Sequence, residues 1–434
     1  MLSSFNLQPP WNPTMFYSRL PLATTLAMTL LFCVPAAGEN WTEFRGPAGT
    51  GISAAKNLPL KWSETENIRW KLEVHGKGWS SPVSWGNQLW LTTATEDGKK
   101  LYALCVDRIK GTIVHDILVF ENEKPRFCHP TNSYASPTPV IEKGRVYVHF
   151  GSYGTACLDS NSGRVLWTRR DFACNHWRGP GSSPVIAGKQ LIVAYDGYDL
   201  QFVVALDKQT GKTIWKRDRN IDYGTDNGDR KKAYSTGALI NVNGRRQFVS
   251  PSAVETISYD PATGEEFWRI RHGGMNAAIR PLVGNGLLYI AAGSGPTSLV
   301  AIRPDGSGDI TETHMAWSSG KSIPKRPAPL LIDDRLFLLN DEGIASCLNA
   351  ASGEIIWQQR VGGGGSYRSS PVYSEGKIYW FSLEGDAHVI AAGDEYKLLA
   401  TSTLDNGCQA SPVPVDDTLY VRTTKHLYAI GSSK

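Results

Sequence analysis

The 434-residue sequence has no pair of adjacent cysteines, no Gly-x-Ser-x-Gly elbow, no P-loop and no His-Glu-x-x-His. The last three absences remove the local signatures of α/β-hydrolases, of phosphate-cradling nucleotide hydrolases and of zinc peptidases. Charge is sparse: 20% of residues are charged, 45 basic against 41 acidic, for a net charge of +4. With no basic block and no arginine stripe, nucleic acid is not an expected partner. Long apolar runs are scarce too. The run at residues 20–34 is shorter than the roughly 20 residues a membrane-spanning helix needs.

That run has another reading. Arg19 precedes it, and Pro35, Ala36, Ala37 and Gly38 follow it, which is the order of a secretory signal and its cleavage site. Residues 1–38 are therefore expected to be a signal peptide. The mature chain is then periplasmic or extracellular, with no transmembrane segment. Phe32 stands where a lipoprotein signal needs a small residue before Cys33, so a lipid anchor is not expected. Export permits disulfides.

What the sequence has in excess is glycine, with 43 residues, and tryptophan, with 14. Such a composition argues against a disordered chain, a coiled coil or a helical bundle. Both excesses belong to a repeat. An Asp is followed by a Gly four residues on and an aromatic four further: Asp159, Gly163 and Trp167; Asp207, Gly211 and Trp215; Asp260, Gly264 and Trp268. Asn349, Gly353 and Trp357 repeat it with Asn, and Asp107, Gly111 and His115 with His. The Asp can bond nearby amides and the Gly can take positive φ, so each is a hairpin turn between alternating strands.

A second pattern precedes each turn. A proline opens an alternating strand at Pro82, Pro139, Pro184, Pro281, Pro329, Pro371 and Pro412, with Gly237 in that place once. These eight starts lie about 41 to 57 residues apart, the period of a β-propeller. The unit starting at Pro412 has no Trp strand after its turn. Ile68-Arg69-Trp70-Lys71 has the form of that missing strand, so the N-terminal part is expected to close the eighth blade. The expectation is an all-β chain: residues 62–434 form an eight-bladed propeller of four-stranded antiparallel blades, preceded by an extension at residues 39–61. The fifth and seventh blades carry the least regular turns, with a long excursion to Trp317 in one and no Trp in the other.

The Asp-x-x-Thr/Ser-Gly-x-x-x-Trp signature resembles the pyrroloquinoline-quinone-like (PQQ-like) propeller repeat, over nearly all of residues 62–431. Trp41-Thr42-Glu43-Phe44-Arg45-Gly46-Pro47, with Gly51 after it, looks like the segment preceding the first blade in a group of exported bacterial proteins with this repeat. The resemblance implies either a quinoprotein dehydrogenase or a non-enzymatic, BamB-like assembly propeller. Quinoprotein sites stack PQQ against a disulfide of adjacent cysteines, over Ca²⁺ held by acidic and amide side chains. The missing Cys-Cys pair and the lack of a clustered acidic-amide motif count against that site.

The expected role is thus an exported, non-catalytic, monomeric binding or assembly scaffold in the cell envelope, without a cofactor. A PQQ- and Ca²⁺-dependent oxidoreductase is the first alternative, and a carbohydrate-associated binding protein the second. Candidate binding residues are those just ahead of the strand starts: Trp79, Tyr134, Arg178, Tyr234, Arg280, Arg326, Arg368 and Gln409. In a propeller these ring the channel mouth, where Arg and Tyr suit an anionic or carbohydrate-like ligand, or a loop of an envelope protein. Their other reading is a solvated channel lining with no ligand. Cys105, Cys157 and Cys347 precede turns at a place where Ala205 stands in the third blade, which reads as a small core position. Cys128 and Cys174 sit in equivalent loops of neighbouring blades and are a candidate disulfide; with His129 and His176 they also read as a zinc set.

Overall fold

The computed structural model describes residues 40–294 and 299–432. The expected signal segment lies outside the described residues. Among the described residues eight sheets follow one another along the chain, each built on four antiparallel strands that in the first seven run outward in sequence order. The first three begin at strands Val83–Trp85, Val140–Glu142 and Val185–Ala187. The eighth blade takes its outer strand, Ile68–Glu73, from the N-terminal side, with Trp70 opposite Ala429. The ring is thereby closed between the two ends of the propeller sequence, as expected. It leaves no blade a strand short.

The repeat residues do three jobs. The turn carboxylate accepts backbone bonds: Asp207 Oδ1 takes the amides of Gln209 and Thr210 at 3.1 and 2.8 Å. The turn glycine makes room for the preceding blade. Gly211 has φ 72°, and a Cβ there would meet the Trp167 ring at 2.7 Å. The outer-strand Trp then reaches across to the next blade. Trp167 Nε1 donates to Lys208 O at 3.1 Å, Trp215 to Pro261 O at 3.1 Å, and Trp70 to Arg108 O at 3.0 Å. Opposite each Trp stands a small residue: Cys157 faces Trp167, Ala205 faces Trp215 and Cys347 faces Trp357. Cys105, Cys157 and Cys347 are all fully buried, consistent with packing as small apolar groups.

The irregular blades have physical reasons. The excursion in the fifth blade lays Gly308–Asp309 parallel against the outer strand of the fourth, as a fifth strand there, before Met315–Ser319 completes its own blade. In the seventh blade Ala400 occupies the Trp position. Trp62 of the N-terminal extension is buried nearby, stacked on Phe381 at 5.8 Å with its amide on Ser402 Oγ at 3.0 Å.

A belt of hydroxyls joins the inner strands. Ser81 N donates to Thr138 Oγ1, Thr138 N to Ser183 Oγ, and Ser183 N to Thr236 Oγ1, at 2.9–3.0 Å. It resumes from Ala328 N to Ser370 Oγ, Ser370 N to Ser411 Oγ and Ser411 N to Ser81 Oγ at similar lengths. Each bond satisfies a buried amide with the next blade's side chain, so the belt fixes blade spacing as well as polarity. The fifth and sixth blades break the belt: their residues at this place are Arg280 and Ala328.

Candidate functional site: a blind axial cavity

All eight blades line one cavity of about 250 Å³. Residues ahead of the hydroxyl belt form its mouth, and the belt residues Ser81, Thr138, Ser183, Thr236, Ser370 and Ser411 form its waist. Residues beyond the belt bond instead to the N-terminal extension. Ser84 exchanges bonds with Trp41, the Ile141 amide donates to Thr42 O, and Ser53 N donates to Tyr373 O at 3.0 Å. The extension therefore closes one end of the channel, and Phe44 from it lies in the cavity wall.

This closure explains the Trp-x-Glu-Phe-Arg-Gly-Pro segment. Arg45 is 1% exposed and donates only to carbonyls: Gly49, Thr50, Ala328 and Pro329 at 2.6–3.2 Å. Burial, and after it the neighbouring Arg280, push its pKa down to about 9. Gly46 and Gly49 have positive φ, and a side chain at Gly49 would strike the Arg280 guanidinium. Arg280, 2% exposed, pairs with Glu43 at 2.8 Å and donates to Phe44 O at 2.8 Å. It belongs to the closed end, not to the mouth. The reason is its place: one residue before the proline is the belt position, whereas mouth residues lie further upstream.

Of the eight candidate residues, six line the cavity together: Trp79, Arg178, Tyr234, Arg326, Arg368 and Gln409. Tyr134 does not. Its ring packs on Gly98 and Tyr153, and its hydroxyl donates to Arg126 O at 2.7 Å. The mouth opens to solvent, since the Arg178 and Arg326 side chains stay 41% and 47% exposed. Asn132 and Lys325 join the lining unanticipated, and His129, considered above only as a zinc ligand, joins it too. The signal that could have found His129 and Asn132 is the long linker between Glu121 and Val140, since long ordered loops are often functional.

Among the described residues, the lining contains no carboxylate. Behind it, Arg178 pairs with Asp229 at 3.2 Å, Lys232 pairs with the same Asp229, and Arg326 pairs with Asp341 at 2.5 Å. Among the described residues Arg368 has only neutral acceptors, Gln409 Oε1 at 3.2 Å and Thr131 O at 3.3 Å. Burial, and then Arg326, lower its pKa. The His129 imidazole is also held below its ordinary value, by burial and then by Arg178, Arg368, Lys232 and Arg326. The mouth is thus a site of net positive potential.

Beside the mouth lies an exposed aromatic group. Phe127 and Trp177 rings are 5.7 Å apart, and Trp177 and Tyr198 rings 5.8 Å apart. All three rings are exposed, Trp177 sits at φ 57°, and Leu200 is exposed in the same loop as Tyr198. Phe127 reaches His129 at 6.4 Å, so the rim and the mouth are continuous.

The expected disulfide is not present: Cys128 and Cys174 are both free. Cys128 sits at the mouth against Gly179, with its thiol 3.6 Å from Arg178 O. Cys174 is buried beneath Gly197, with its thiol on Leu200 O at 3.7 Å. Similar loop positions therefore send the two thiols into different surroundings. Among the described residues, no three His, Cys, Asp or Glu side chains are placed to hold a metal ion. Among the described lining residues no carboxylate is present to supply the acidic oxygens that the calcium of a quinoprotein site would need.

Comparison with known proteins follows the fold. The chain is 23% identical over 212 residues to the outer membrane protein assembly factor BamB of Moranella endobia (strain PCIT), covering 47% of this chain and 52% of the relative. It is 24% identical over 159 residues to BamB of Yersinia pestis, covering 37% and 39%. The chain thus matches about half the length of these curated relatives, or less. Among solved structures, a europium-containing methanol dehydrogenase superposes with a TM-score of 0.66 at 10% identity, covering 88% of this chain and 89% of the other. BamB from Moraxella catarrhalis superposes with a TM-score of 0.58 at 13% identity, covering 83% and 99%. At such identities the structural likeness shows the fold alone. A family model described as outer membrane protein assembly factor BamB matches residues 121–218 and 200–433. This chain therefore belongs to that BamB family of PQQ-like propellers.

Proposed function

We propose that this protein is a non-catalytic binding scaffold of the cell envelope, and that a partner protein docks on the face carrying the channel mouth. The observation that carries this reading is the exposed aromatic rim of Phe127, Trp177 and Tyr198 beside a cationic opening. Clustered exposed rings with charge at their border are the make-up of a docking surface. Family membership supports an assembly role, and the low identities leave the partner to experiment. The lack of a carboxylate for calcium among the described lining residues counts against the oxidoreductase alternative.

The test is affinity purification from envelope extracts of the source organism. The wild type is expected to retain an envelope protein that the triple variant F127A/W177A/Y198A loses. Lys143, exposed in a hairpin turn at the closed end, provides the control: K143A should retain the partner. Equal retention by all three would overturn the choice of face. Dye-linked oxidation of an alcohol or sugar after addition of PQQ and Ca²⁺ would overturn the non-catalytic reading.

A further inference from the structure

The cavity at the mouth contains more than a docking rim requires. Four buried polar atoms on residues of its lining have no partner among the described residues: Trp79 Nε1, Arg178 Nε, Tyr234 Oη and Asn276 Oδ1. An unmade bond at a buried polar group costs about 1–3 kcal/mol, so four on residues around one small cavity mark its wall as incompletely bonded. Three are donors. They stand among the guanidinium groups of Arg178, Arg326 and Arg368, which come from the third, sixth and seventh blades.

This placement selects a chemistry. The positive groups line the cavity from several blades, with no carboxylate among the described lining residues. A carboxylate is planar and is met by one guanidinium fork from one side. A tetrahedral oxyanion presents oxygens in every direction, and arginine is the side chain best suited to it. Asn276 Oδ1 is an acceptor, which an oxyanion cannot satisfy but a hydroxyl can. The closed end makes the cavity blind, so such a group enters from the mouth.

We propose that the blind cavity binds a tetrahedral oxyanion, phosphate or sulfate, either free or esterified to a hydroxyl-bearing body such as a sugar. Arg368 is its principal cation, because it alone of the three arginines has no ion pair among the described residues. Trp79 and Tyr234 add neutral donors. This inference rests on the same face as the scaffold reading but not on the same residues.

The experiment is isothermal titration calorimetry of the full mature chain with four probes: inorganic sulfate, inorganic phosphate, glucose 6-sulfate and glucose 6-phosphate. At least one probe is expected to bind, with affinity falling as NaCl is raised. R368Q should weaken binding about tenfold or more, the size of one lost charge-assisted bond, and R326Q should weaken it less. R335Q, a change of an arginine paired with Asp394 away from the cavity, should bind as the wild type does. Tighter binding of the sugar esters identifies the ester as the ligand class, and equal binding identifies the free anion. No heat from any probe up to about 10 mM, or R368Q binding like the wild type, overturns the site. W177A separates the two readings, since it should keep oxyanion binding while weakening partner capture. A wild type that captures its partner yet binds no probe overturns the oxyanion site and leaves the scaffold reading intact.

Discussion

The two ends of the channel are made by the same eight inner strands, yet one is sealed and the other open. At the sealed end, charge is buried and almost fully bonded: Arg45 has four carbonyl acceptors, and Arg280 has Glu43. At the open end, Arg178, Arg326 and Arg368 face a cavity with unpartnered donors. The contrast shows what a repeat can and cannot supply. Its hairpins, Trp contacts and hydroxyl belt build the ring. The difference between the ends comes from an N-terminal segment outside the repeat and from linkers between blades.

The largest effect that would break this contrast lies at the sealed end. R280A removes the guanidinium opposite Glu43 and leaves that carboxylate without its partner, so stability should fall by about 3 kcal/mol in urea denaturation. A loss below about 1 kcal/mol would mean that the extension is only loosely held. Acid comes next. Burial holds the imidazoles of His149, His176 and His272 near pKa values of about 3, 4 and 4, against about 6.5 in the unfolded chain. Depressed values mean that the unfolded state binds more protons. Their stabilisation is complete above pH 6.5 and is lost as pH falls toward 4. Denaturation midpoints should drop across that window, and H149F should flatten the drop. His176 contacts Gly151 and the Ser152 amide near the mouth, so acid should loosen the open end before the sealed one, as hydrogen exchange can read.

Thiol reactivity gives a smaller contrast. Cys128 is half-buried at the mouth, with burial pushing its pKa up to about 11, whereas Cys105, Cys157, Cys174, Cys347 and Cys408 are buried. Alkylation of the folded protein without reductant should modify Cys128 slowly and the other five only on unfolding. Protection of both Cys128 and Cys174 until reductant is added would restore the disulfide. The smallest effect is that of R326A, which removes a half-exposed arginine from Asp341, a carboxylate that still accepts the Lys325 amide, and should cost about 1 kcal/mol.

The ring was legible in the sequence because its devices are local and recur. Asp207, Gly211 and Trp215 occur at fixed spacing, and Trp70 could be assigned to the eighth blade because that blade lacked it. The Ser or Thr before most of the starting prolines was equally visible, and it proved to be the belt. Arg280 was misread because its number of residues before Pro281, not its type, sets which end it faces. Tyr134 was misread because a linker side chain can turn outward onto Gly98 as easily as inward. The sealing of the channel by residues 41–53 was not legible at all. It depends on contacts such as Arg45 with Ala328, 283 residues apart, and no local pattern encodes those.

The central claim is that binding occurs at the open end and not at the sealed one. Site-specific photo-cross-linking in cells of the source organism tests it directly, with benzoylphenylalanine in place of Phe127 or Tyr198 at the rim and of Lys56 or Lys143 at the sealed face. Adducts to one envelope partner from both rim positions, and none from Lys56 or Lys143, are predicted. Adducts from the sealed face with a silent rim would contradict the account.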